Sequence, residues 1–252
     1  MNKKLFIVAA IALFAVAQSA KAQTNLQVFY DFGSDRQHVT TTLEGFYGDK
    51  WGNTFFFIDY DYNNKDADKK NVSPSGTYFE LARCLNFWQE SKLAPLSLQV
   101  EYNGGAYVGY GINHAFLLGV DWFIHSKDFS NTLNLKVLYK NIIGKTSKAP
   151  LQFTAVWGMQ DIFGVKGLRF SGFADFWWED HVVVPVVDGV ADWTKPSDAS
   201  VVFLSEPQLW YNVGQHFGVD NLNIGGEAEI SVNFGTGKGF FLRPCAGLKW
   251  VF

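Results

Sequence analysis

Beyond residues 1–22 the sequence has no apolar run of the about 18 residues that a helical membrane span requires. That excludes helical spans but not β-spans, which need only about ten residues of alternating character. Two cysteines are too few for a disulfide framework. Cys84 and Cys245 lie far apart in strand order and are expected to be free thiols. The five histidines are scattered, so no zinc cluster is visible. Basic residues number 21 against 24 acidic ones, a balance that argues against nucleic acid as a partner. Asp59-x-Asp61-x-Asn63 starts like a calcium loop, but Asn64 stands where glycine is needed and Lys70 where the closing glutamate is needed. Residues 235–239, GTGKG, lack the spacing of a phosphate-binding loop and the hydroxyl residue after the lysine; they read as a hairpin loop. No metal, cofactor or energy source is therefore expected.

What is present begins with a leader. Lys3 and Lys4 precede an apolar stretch over 5–17, and Ala20-Lys21-Ala22 fits a cleavage site. Residues 1–22 are expected to be a secretory signal peptide and 23–252 the mature domain. No cysteine follows the site, so a lipid anchor is not indicated. Cleavage removes Lys3, Lys4 and Lys21 and leaves a more acidic chain. Aromatic residues make up 17% of the sequence and glycines number 24, a composition that suits a β-rich exported protein.

The clearest pattern is TTTLEGFYGDKWGNTFFFIDYDYN at 40–63. Two runs of period-two alternation flank a Gly/Asp turn, the mark of a β-hairpin. Similar runs follow at 26–32, 77–87, 96–103, 116–124, 132–139, 151–158, 168–177, 201–213 and 222–233, with a last one ending at Phe252. Gly104-Gly105 reads as a loop, and 179–199 as the longest irregular stretch. Pro207 costs the 201–213 run a ladder bond or marks a bulge. The count is about twelve strands of about ten residues, an even number that returns the C-terminus to the side of the N-terminus. Turns at 48–52 and 164–167 are short, whereas 63–76 and 179–199 are long. This is the expected asymmetry of periplasmic turns and external loops. Tyr47, Tyr62, Tyr102, Trp122, Tyr139, Trp157 and Trp250 sit near the ends of apolar faces, like an aromatic girdle. Alternating strands, girdle and a terminal phenylalanine together predict an all-β fold. It is a closed antiparallel up-and-down transmembrane β-barrel in the outer membrane of a Gram-negative cell, with lipid as a partner. A secreted sandwich or lipocalin-like barrel is the alternative.

The face opposite the apolar one then lines a lumen. Its candidate solute-binding residues are Phe29, Asp31, Glu44, Phe55, Phe57, Asp59, Glu80, Arg83, Glu101, Asp121, Phe173, Asp175, Trp177, Trp210, Glu227 and Arg243. Arg83 falls on the apolar face by alternation, and a bulge would be needed to re-aim it inward. Aromatics lie two residues from acids, as in Phe57 and Asp59 or Phe173 and Asp175. Aromatic faces can stack flat solutes while carboxylates and guanidinium groups hydrogen-bond ring edges and sugar hydroxyls. That chemistry suits nucleosides or similar uncharged heterocycles. The same side chains would merely fill the barrel in a structural or adhesin-type protein. An outer-membrane lipid hydrolase would need Ser and His together on one outward face. His114, His125 and His181 have no partner serine at a fixed offset.

The 40–63 segment is followed by YFELARCLNF at 78–87, AYVGYGINHAF at 106–116, TAVWGMQDIFGVKGLRFSGFADFWW at 154–178 and SEPQLWYNVG at 205–214. In that order, these blocks and the closing strand resemble the nucleoside-specific channel-forming (Tsx-type) outer-membrane proteins. The resemblance implies a twelve-stranded barrel with a narrow aromatic and ionisable bore that passes nucleosides without an energy source. By position it carries over Phe55, Phe57, Asp59, Glu80, Arg83, Phe173 and Asp175 as lumen residues. The family pattern tends to have proline where Ala82 stands, and Cys84 and Cys245 depart from it.

Overall fold

The computed structural model describes residues 23–62 and 74–252. The expected leader at 1–22 and the centre of the 63–76 loop lie outside the described residues. We number the barrel strands β1 (Gln23–Asp31), β2 (Val39–Asp49), β3 (Gly52–Tyr62), β4 (Pro74–Leu85), β5 (Leu96–Tyr107) and β6 (Tyr110–His125). They continue as β7 (Asn131–Ile142), β8 (Leu151–Met159), β9 (Leu168–Val183), β10 in two segments (Ser197–Ser205 and Gln208–Tyr211), β11 (Leu222–Val232) and β12 (Phe240–Val251). Each strand pairs antiparallel with its neighbours in sequence, and β12 pairs with β1 from Asn25↔Val251 to Asp31↔Cys245. The result is the expected closed all-β barrel of twelve strands. Phe252 N–H donates to Thr24 O at 2.9 Å, so both ends of the described chain meet at one rim. We call this the terminal rim and the opposite one the distal rim.

Alternation decides which way each side chain points. On β1, Leu26, Val28 and Tyr30 are exposed while Asn25, Gln27, Phe29 and Asp31 are buried. The same rule puts Leu98 and Val100, then Phe116, Leu118, Val120 and Trp122, on the outside. It does so again with Val137 and Tyr139, and with Leu248 and Trp250. A continuous belt of exposed large apolar residues is a costly surface in water and the expected one in lipid. Tyr47, Tyr62, Tyr102, Trp122, Tyr139, Trp157 and Trp250 all take this outer face.

Three details differ from the sequence reading, and at Pro207 the structure decides between its two alternatives. Gly104-Gly105 is not a loop: β5 continues to Tyr107, and Val108-Gly109 makes the turn. Gly105 lies inside the β4–β5 ladder, where a Cβ would meet Thr77 O at 2.2 Å, so its glycine serves close backbone approach. The 179–199 stretch is only partly irregular, because β9 runs to Val183 and β10 begins at Ser197. A small hairpin, Val186–Val187 with Val190–Ala191, lies between them. Pro207 marks no bulge. The register on both sides is the same before and after it, and the cost is the missing ladder bond. Opposite it Gly172 has φ +151°, and a Cβ there would meet Glu206 O at 2.4 Å. Finally, connection length does not follow one rim. The distal turn at 108–109 is tight, while the 86–95 connection on the terminal rim is long.

Leu118 lies at the middle of β6, outward and 57% exposed. Leu118→Arg is expected to lower the stability of the barrel in vesicles by about 2–4 kcal/mol, the cost of a cation at bilayer mid-depth. Urea titration of the vesicle-inserted variant checks this.

Candidate functional site

Strand register brings the predicted residues together. Glu44 lies opposite Phe57, Phe57 opposite Glu80, and Phe55 opposite Ala82, whose own partner on β5 is Glu101. Further round the wall Phe173 and Asp175 of β9 face Val156 and Thr154, and Gln208 of β10 faces Glu227 of β11. All the predicted residues except Arg83 point inward. Arg83 pairs with outward Thr54, and the β3–β4 register runs without a bulge from Gly52↔Leu85 to Asp61↔Gly76. No re-aiming occurs. Arg83 instead bonds Thr54 Oγ1 at 3.1 Å and pairs with Asp49 at 2.8 Å on the outer face near the terminal rim. It is not a lumen residue.

The inward residues divide into packed and free. Phe29, Asp31, Asp121, Trp177, Trp210 and Arg243 are buried. Lys249 Nζ sits 4.3 Å above the Trp210 ring, and Phe29 packs against the same indole at 5.5 Å. Trp177 is covered by Lys140 Nζ at 3.9 Å. Asp121 accepts from Asn134 at 2.9 Å and lies 4.0 Å from Lys136. These side chains hold the wall and offer no stacking face to a solute, which corrects the expectation for Trp177 and Trp210.

Glu44, Phe55, Phe57, Asp59, Glu80, Glu101, Phe173, Asp175 and Glu227 remain partly exposed to the bore. The six carboxylates among them share one feature. Each accepts one side-chain hydrogen bond: from Asn25 to Glu44 (2.8 Å), Thr42 to Asp59 (2.5 Å), Tyr78 to Glu80 (2.7 Å), Gln99 to Glu101 (2.6 Å), Thr154 to Asp175 (2.5 Å) and Gln208 to Glu227 (2.8 Å). Among the described residues none of the six has a cation within ion-pair distance. A carboxylate has about four acceptor positions, so most stay open to the bore. Between the acids runs an aromatic track, Phe55 to Phe57 at 6.1 Å and Phe57 to Tyr78 at 5.8 Å.

The distal mouth carries a cluster that strand alternation alone does not reveal. Residues 32–38 fold over the bore. Arg36 pairs with Glu229 at 2.5 Å and with Asp31 at 3.6 Å. Arg243 bridges Asp35 at 2.7 Å and Glu229, and Asp31 Oδ1 caps the Gly33 amide at 2.6 Å. His38 lies 3.5 Å from Asp61, which also accepts from Tyr107 at 2.6 Å. Burial works against charge on Asp35, but the hydrogen bonds and charge of Arg243 outweigh it and hold the carboxyl below the usual carboxylate range. Burial likewise opposes the Arg36 charge, yet Glu229 and Asp31 raise its pKa above the usual guanidinium value. The one sequence signal for this cluster was Asp35, Arg36 and His38 within four residues. Cys84 and Cys245 are free, as expected. The described residues contain no group of three or more His, Cys, Asp or Glu arranged to hold a metal.

Because Asp35 has its pKa lowered by folding, its contribution is complete above the ordinary carboxylate pKa near ~4 and is lost as pH falls through the lowered value. The protection of the 33–38 amides, taken relative to the intrinsic exchange rate at each pH, is therefore expected to be level from neutral pH to about 4 and to fall below it. Asp35→Asn is expected to abolish that pH step and raise exchange at neutral pH by about tenfold or more, the loss of a charged hydrogen bond.

In backbone architecture the chain is similar to the NanC porin in its rhombohedral crystal form, with TM-score 0.52 and 8% identity over 91% of this chain and 98% of that one. A BenF-like porin from Pseudomonas fluorescens Pf-5 aligns over 93% of this chain and 99% of that one, with 9% identity and TM-score 0.43. The outer membrane phospholipase (OMPLA) dimer of Salmonella typhi, solved with calcium, aligns over 96% and 95%, with 13% identity and TM-score 0.49. At 8% identity the likeness to NanC concerns the fold and not the cargo. No curated protein matches the sequence. A family described as "Domain of unknown function (DUF5020)" matches residues 22–252.

Proposed function

We propose that this chain, which belongs to the DUF5020 family, is a passive outer-membrane channel for small polar solutes, nucleosides foremost. The observation that carries the reading is the free wall of the bore. Six carboxylates, each with one hydrogen bond from the wall and open positions toward the lumen, flank the Phe55–Phe57–Tyr78 track. A flat heterocycle stacks on the rings while its amino groups and sugar hydroxyls donate to the acids. Direction and energy come from the concentration gradient. The exposed outer belt supports a place in lipid, and a porin-like fold supports a pore.

A second reading has its own observation. Gln27, Gln99, Leu138 and Trp210 are inward and almost wholly buried, as the filling of a structural barrel would be. A lipid hydrolase has less behind it. Among the described residues His114, His125 and His181 bond a tyrosine hydroxyl or backbone carbonyls, and none bonds a serine hydroxyl.

Uptake into proteoliposomes separates these. Nucleosides are expected to enter faster than sugars of equal size. Phe57→Ala is expected to cut that preference by about five- to tenfold, as the loss of one base-stacking ring predicts, and Asp59→Asn and Asp175→Asn severalfold each. Equal entry of both solutes would make it a general pore. No entry through a folded, heat-modifiable barrel would favour the structural reading.

A further inference from the structure

Near the terminal rim the bore changes character. Arg169 is the second residue of β9, inward and directly opposite Trp210. Among the described residues it makes no hydrogen bond and no ion pair, and its Nε–H is buried without any acceptor. Lys249 Nζ of β12 lies over the same indole, and among the described residues its one hydrogen bond is a long one of 3.3 Å to Gln208. The acids that act on them, Glu44 on both and Glu227 on Lys249, are each already engaged by a wall amide, Asn25 and Gln208, and among the described residues neither lies within ion-pair distance of Arg169 or Lys249. A buried guanidinium nitrogen without a partner is costly, and an acceptor brought to it recovers that cost.

We propose that Arg169 and Lys249 form an oxyanion-binding station just inside the terminal mouth, for a carboxylate or phosphoryl group. The guanidinium fork supplies paired donors matched to two oxygens of such a group, and Lys249 adds a point charge from the side. Trp210 carries Lys249 over its ring and stands opposite Arg169 across the β9–β10 ladder, so both cations border the same residue. The station goes beyond the channel reading and does not require that anything cross the bore.

The test uses the folded full-length chain in detergent micelles and equilibrium dialysis against labelled inorganic phosphate and, separately, acetate. Saturable binding at one site is expected, insensitive to chloride at equal concentration. Arg169→Gln is expected to weaken it by about tenfold or more, Lys249→Gln severalfold, and Glu44→Gln to tighten it. Arg83→Gln, which removes an outward guanidinium, is expected to change nothing. The tighter of the two probes names the chemistry, carboxylate or phosphoryl. If Arg169→Gln does not fold, Arg169→Lys keeps the charge and loses the fork, and severalfold weaker binding is expected of it. The proposal is overturned if the parent binds neither probe saturably, if the Arg169 variants bind as the parent does, or if Arg83→Gln loses as much as they do. Nucleoside uptake is a separate readout, so either idea can fail alone.

Discussion

The structure depends on the seam between β1 and β12. In a lipid environment no water is at hand to take an unpaired backbone amide, and each one left open costs several kcal/mol. A sheet with two edges is therefore not a state this chain can occupy there. Pairing the first strand with the last removes both edges at once, and the rest of the architecture follows. With twelve strands locked in a ring, every side chain must point to lipid or to the lumen, and period-two alternation sorts them. Even Pro207, which breaks the ladder locally, is absorbed without a register change, because a slip would turn the rest of β10 inside out.

The same sorting explains how much was legible beforehand. Alternation needs only local sequence, so strand number, closure and the inward face were readable from 26–32 through to Phe252. Arg83 shows the limit of arguing against the pattern. Alternation put it outside, and the structure agrees with alternation and not with the position carried over from a similar family. Gly104-Gly105 looked like a turn because glycine serves both turns and close backbone approach, and nothing local tells the two apart. Trp177 and Trp210 were rightly placed inside, but their lids were hidden. Lys140 and Lys249 come from strands far away in sequence, and whether an inward ring is free or covered is a question about those partners.

Charge inside the barrel is arranged by depth. Acids and arginines neutralise one another at the distal mouth, where residues 32–38 dock. Along the middle, carboxylates are held singly by neutral donors such as Thr42, Tyr78 and Thr154. A hydroxyl fixes the orientation of an acid without cancelling its charge, so the mid-bore stays polar and acceptor-rich. Close to the terminal rim stand Arg169 and Lys249, neither of them ion-paired among the described residues. A solute with a dipole would therefore meet a different preference at each level, in an order set by strand register alone.

The ion pair between Asp35 and Arg243 joins residues 208 positions apart. Closing a chain loop of that size carries an entropic cost that grows with its length, and long-range contacts form late in folding. The pairs Asp35–Arg243 and Arg36–Glu229 span the β1–β12 seam, so their partners stand in one place only once that seam is closed. The distal mouth is in this sense a record of completed assembly. A barrel that has not yet joined its two ends has no lid, because its lid is held by residues from both of them.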